Sequence, residues 1–197
     1  CLDANTTASN NVGVGTSALG ATTTGASNTA VGHQSLLSNT TGGSNVAVGS
    51  NALDANTTGA SNTALGKDAL GLNTTASNGV AVGRAALSAN TTGANNVALG
   101  TYAMQVSTTG ANNTAVGHQA LDANTTASSN LAVGYHALKL NTTGSSNVAV
   151  GAECLDACTT GALNTAIGKG AATDLTTAEY SVALGFEALN TAIGKGA

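Results

Sequence analysis

The chain has 197 residues, of which 42% are hydrophobic but only 2% aromatic and 7% charged, with no proline or tryptophan. Side chains this small cannot fill a broad globular core at normal packing density, and the formal net charge of −4 offers no basic stripe to displace counterions from nucleic acid. The regular placing of the aliphatic residues argues against disorder, and no run approaches the roughly eighteen consecutive apolar residues of a membrane helix.

From the amino end, residues 1–10 form a partial repeat, matching the last ten positions of a unit that first appears whole at Asn11. Cys1 is not a translation start, so the chain is expected to be processed, excised or part of something longer. Residues 11–180 are ten seventeen-residue units reading roughly N-[V/T]-A-[V/L/I]-G-x-x-A-L-x-x-N-T-T-G-[A/S]-[S/N], numbered here as positions one to seventeen. Gly15, Gly32 and each seventeenth residue to Gly185 keep position five invariant. Residues 181–197 are an atypical terminal repeat, in which Asn190–Ala197 duplicates Asn164–Ala171. With no polar cap before Cys1, such a rod is expected to stack end to end or to continue into a longer chain.

Within a unit, positions one to four read as a short strand closed by a glycine free to adopt positive φ. Positions ten to fifteen read as a turn and a second short strand. Seventeen residues suit one coil of a β-solenoid, whereas helical repeats need thirty or more. The expected fold is all-β, a parallel β-solenoid or β-roll, and eleven coils about 4.8 Å apart make a rod of roughly 50 Å. Alternation along the strand is expected to turn aliphatic position four into the coil. Position three, Ala in every unit but the first, would then face an identical neighbour close enough to admit only a methyl group. That predicts a homo-oligomer, most simply a trimer; the competing reading places position three in a narrow corner of its own coil. Nearly every charge falls at positions six, seven, ten and eleven, which read as solvent corners. Tyr102, Tyr135, His136 and Phe186 are the candidate recognition residues there.

No arrangement for catalysis emerges. His33, His118 and His136 occupy corners of separate coils, and the first two stand about 24 Å apart at the spacing of strands. Gly13-Val14-Gly15-Thr16-Ser17-Ala18 matches a dinucleotide-binding pattern but lacks the surrounding βαβ context. No acidic position recurs as in calcium-binding rolls, so no enzyme activity, cofactor or metal is expected. Cys1, Cys154 and Cys158 are candidates for a disulfide or interchain cross-link, the bland reading being a small apolar residue in place of packed Ala. Asn5, Asn39, Asn56, Asn73, Asn90, Asn124 and Asn141 are formal N-glycosylation acceptors, better explained as hydrogen-bonded Asn and Thr ladders. Thr41, Thr58, Thr75, Thr92, Thr109, Thr126 and Thr143 would form an outward file, and with position-twelve Asn a mixed face suited to ice binding.

The unit at Asn113–Thr126 resembles a repeat of bacterial and phage tail-fibre-type proteins. Asn147–Gly151 and Ser181-Val182-Ala183-Leu184-Gly185 are similar to the S-V-A-I-G motif of trimeric autotransporter adhesin heads. The resemblance implies a left-handed, homotrimeric β-roll on a cell or virion surface, acting as fibre, filament, adhesin shaft or adhesive head toward a surface or glycan receptor. Ice binding is the alternative function.

Overall fold

A computed structural model describes residues 1–190. They hold eleven three-residue strands, from β1 (Val12–Val14) to β11 (Val182–Leu184), one in each coil. The strands lie in chain order in a single sheet. Each pairs in parallel with the next, placing Val12 beside Thr29 and Thr165 beside Val182. The chain is an all-β parallel solenoid of seventeen-residue coils, without a helix among the described residues.

The recurring glycine ends each strand with φ between 120° and 140°. A Cβ on Gly100 would lie 2.5 Å from the carbonyl oxygen of Gly117, so the next coil's backbone as well as the dihedral excludes a side chain. Beyond it the chain turns sharply through left-handed residues that are not glycine, such as Asp68 at φ 59° and Leu70 at φ 51°. Leucine there is strained by about 1–3 kcal/mol. Leu70 is fully buried, which stabilises by about 1.5–3 kcal/mol, and its N–H donates to the Ala86 carbonyl of the next coil at 3.0 Å.

The structure corrects two expectations. Positions ten to fifteen carry no second strand. There the N–H groups of adjacent threonines converge on one carbonyl, Thr40 and Thr41 both donating to Thr57 O at 2.9 and 3.2 Å, which bends the chain instead of extending it. The strand is also inverted relative to the expected facing. Position three points into the coil, with Ala30, Ala47 and Ala98 at 0% exposure, while position four points out, with Val14 at 56% and Leu65 at 47%. The leucine file at position nine and the alanine file at position eight already occupy the narrow interior. Only a methyl group fits opposite them, so the restriction to alanine comes from the coil itself rather than from a neighbouring chain.

Two asparagine ladders close the remaining interior. At position twelve, Asn73 Nδ2 donates to Asn56 Oδ1 (2.8 Å) and to Ala76 O (3.1 Å), and Asn90 Nδ2 donates to Asn73 Oδ1 (3.0 Å). At position one, Asn45 Nδ2 donates to Gly59 O (2.9 Å), and Asn45 Oδ1 accepts the backbone N–H of Asn62 (2.9 Å). Buried amides need such partners, because an orphaned group forfeits its hydration without replacement. Where Ser107 and Cys158 interrupt the position-twelve ladder, the preceding carbonyls, Asn90 Oδ1 and Asn141 Oδ1, are buried without a partner.

Candidate functional site

With the interior taken up by alanine, leucine and asparagine, the distinctive chemistry lies on three surfaces. The first is the outer face of the sheet. Positions two and four present two files of Val, Leu, Ile and Thr from β1 to β11, with no charged residue in either. Val12, Val46, Ile167 and Val182 are among the residues standing open to solvent. Parallel strands in strict register set these side chains in rows, an uncharged, largely aliphatic face interrupted by Thr29, Thr63, Thr114 and Thr165.

The second surface is polar. Thr41, Thr58, Thr75, Thr92, Thr109, Thr126 and Thr143, all at position fourteen, are exposed in one file. The threonine hydrogen bonds between coils belong instead to position thirteen, where Thr57 Oγ1 donates to Thr74 O at 3.0 Å. Position twelve does not join this face, because its asparagines are buried in the ladder. The mixed face expected from position-twelve Asn therefore does not form. The exposed companions are the left-handed residues of position seventeen, where Asn78 Nδ2 donates to Asn95 Oδ1 at 3.1 Å.

The third surface is a corner crossing the middle coils. The Arg84 guanidinium lies 5.4 Å from the Tyr102 ring centre. Tyr102 meets His118 edge-on at 6.1 Å, and His118 stacks on Tyr135 at 5.7 Å. Tyr135 in turn stacks on His136 at 3.7 Å. Three of the four expected recognition residues, Tyr102, Tyr135 and His136, therefore fall in one cluster. Phe186 stands apart in the last described coil and is 69% exposed. His33 also lies apart, whereas His118 and His136 share neighbouring coils with ring centres 5.9 Å apart. The signal for that pair was their spacing of eighteen, one coil plus one residue, which joins position six of one coil to position seven of the next.

His136 Nε2 lies 2.8 Å from Gln119 Oε1, and Gln119 Nε2 donates to Asp122 Oδ2 at 3.3 Å. Burial, with Lys139 and His118 nearby, holds the His136 pKa below its ordinary 6.5. Burial pushes the Asp122 carboxyl up, opposed by Lys139 and by the Gln119 hydrogen bond. Elsewhere, Asn51, Asp54, Asp68 and Ser88 help line a shallow depression of about 250 Å³. Lys67 pairs with Asp68 beside it. Among the described residues no three His, Cys, Asp or Glu side chains come together in an arrangement for a metal ion.

The cysteines are free thiols. Cys154 and Cys158 are fully buried, with Cys154 Sγ donating to Ala166 O at 3.2 Å and Cys158 Sγ to Gly161 O at 3.6 Å. Neither can reach another chain, so the proposed cross-link through them does not hold; Cys1 alone is exposed. Burial raises the Cys154 pKa to about 11 and that of Cys158 in the same direction. The sequons at Asn39, Asn56, Asn73, Asn90, Asn124 and Asn141 are closed in the ladder; Asn5, in the exposed amino-terminal coil, bonds Ala8 O at 3.2 Å.

No helix among the described residues is long and apolar enough to cross a membrane. In comparisons with known proteins, no family model, curated protein or solved structure matches the chain.

Proposed function

We propose that this chain is a non-catalytic structural element, a segment of an extracellular fibre, filament or adhesin shaft that associates with copies of itself along the outer face of its sheet. The uncharged aliphatic face is the observation that carries this reading, since large contiguous apolar patches on a soluble surface mark interaction sites. Its two files are about 6.7 Å apart and run about 48 Å. With side-chain width the stripe is about 12 Å across, or roughly 600 Å² from each copy and about 1,200 Å² for a pair. That is the lower edge of a stable interface. Three rods around one axis would bury about 1,800 Å² in all, shared among three contacts; the choice of three chains rests on the tail-fibre resemblance. Its left-handed coiling and its location on a cell or virion surface follow from the tail-fibre resemblance alone.

Sedimentation of the full chain tests the reading. The parent is expected to sediment as three chains. Val48→Lys combined with Leu99→Lys is expected to give folded monomers, because each charge would have to be desolvated in the interface. A monomeric parent at micromolar concentration overturns it. Electron microscopy of the same material distinguishes separate rods from end-to-end filaments.

The exposed position-fourteen threonines favour one second reading, ice binding, since they repeat at about the strand spacing of 4.8 Å. Thermal hysteresis in the parent, lost in Thr92→Tyr, would support it; a parent without hysteresis removes it.

A further inference from the structure

The fibre reading leaves unused the only concentration of imidazoles in the described rod, and it sits where the corner chemistry changes. Positions six and seven elsewhere hold residues such as Ser50 and Asn51 or Thr16 and Ser17, but His118, Gln119, Tyr135 and His136 occupy two successive coils. Parallel register fixes these coils against each other through β7 (Thr114–Val116) and β8 (Leu131–Val133). The His136 N–H donates to the His118 carbonyl at 3.1 Å, so the two residues are also locked through the backbone.

We propose that His118 and His136 form a two-imidazole chelate for a late first-row transition metal ion such as Zn²⁺. A nitrogen-to-zinc bond of about 2.0–2.1 Å, with about 1.2 Å from ring centre to nitrogen, sets each ring centre about 3.2 Å from the ion. Two rings then span up to about 6.4 Å, and about 5.2 Å at a tetrahedral angle. The observed 5.9 Å lies inside that range, and a small side-chain rotation reaches the tetrahedral value.

The surroundings select the right form of His136. Asp122 holds the amide nitrogen of Gln119, which leaves the Gln119 oxygen facing His136 Nε2. An oxygen can only accept, so Nε2 carries the proton and Nδ1 keeps the lone pair for a metal. A carboxylate acting through an amide thus orients the ligand, as outer partners do for metal-bound histidines. His136 is also only partly exposed. Waters complete the coordination shell. The buried thiols of Cys154 and Cys158 do not compete for the ion, and Cys1 is the one exposed thiol that does.

Isothermal titration of Zn²⁺ into the full chain carrying Cys1→Ser tests the site. One ion per chain is expected. His118→Asn and His136→Asn should each weaken binding at least tenfold, and His33→Asn less than twofold, because His33 is an isolated imidazole. Gln119→Ala should weaken binding by less than either ligand variant. Circular dichroism of each variant confirms that the rod is intact. No binding by the parent, a smaller loss in either ligand variant, or an equal loss in His33→Asn overturns the proposal.

Discussion

Completing the interrupted asparagine ladder should stabilise the rod. Ser107 occupies the position that Asn fills in Asn39, Asn56, Asn73, Asn90, Asn124 and Asn141. Its hydroxyl accepts from Asn124 Nδ2 at 3.3 Å, but nothing reaches back to Asn90 Oδ1, which is buried and unpaired. In Ser107→Asn, the new Nδ2 would donate to Asn90 Oδ1 and to Gly110 O, as Asn73 Nδ2 donates to Asn56 Oδ1 and Ala76 O. A buried orphan acceptor costs about 1–3 kcal/mol. After the rotamer entropy of fixing one amide, the net gain should be about 1–2 kcal/mol, a rise in Tm of roughly 3–6 °C at this chain length. The reciprocal Asn73→Ser should orphan Asn56 Oδ1 and lower stability by a similar amount. Because coils open locally in a repeat protein, amide exchange around residues 90 and 107 should be read beside the thermal midpoint. Slower exchange there and a raised midpoint are expected. If Ser107→Asn leaves both unchanged while Asn73→Ser is destabilising, the two ladder sites are not equivalent and the reasoning fails.

Gly100→Ala should lower the midpoint sharply or abolish cooperative unfolding, because its Cβ meets Gly117 O at 2.5 Å and its φ is 138°; a midpoint within 2 °C of the parent by circular dichroism, roughly half a kcal/mol, would refute the close approach. Maleimide at neutral pH should label Cys1 alone in the native rod and all three thiols after denaturation, read by mass spectrometry. Burial raises the Asp54 and Asp156 pKa values in the fold. The folded state therefore holds protons that the unfolded state releases, and stability from these groups is greatest below their ordinary 3.8 and falls as pH rises through their folded values. Asp156→Asn should reduce that decline between pH 3 and 6 in urea unfolding; an unchanged pH slope would contradict it. Asp68 works in the opposite sense: against some desolvation, Lys67 and Asn51 hold its pKa down, so its contribution is lost on acidification.

The period of seventeen made the coil, the parallel sheet and the register legible, because a glycine that tolerates no Cβ must recur at the same point of every turn. The facing of the strand was not legible from it. Alternation separates Val46 and Val48 from Ala47 but does not say which side is inside, and greater bulk is a misleading guide when a file of leucines has already filled the lumen. The left-handed backbone at Leu70, Asp68 and Asn78 left little trace either, because none of them is a glycine. Of the candidate residues, Tyr102, Tyr135 and His136 were identifiable as departures from the repeat. Their convergence with His118 depended on adding one residue to the coil length, a diagonal relation between corners that a position-by-position alignment hides.

Each ladder bond joins a coil only to the coils next to it. Removing or duplicating one whole unit would therefore rejoin Asn to Asn, Leu to Leu and strand to strand across the new seam, altering the rod by about 4.8 Å and leaving its cross-section intact. An insertion of sixteen or eighteen residues would instead put every file one residue out of register at that seam. Length is thus the one dimension of this molecule that unequal recombination between near-identical gene segments can change in discrete steps without a folding penalty, and related chains should differ in coil number before they differ in coil shape.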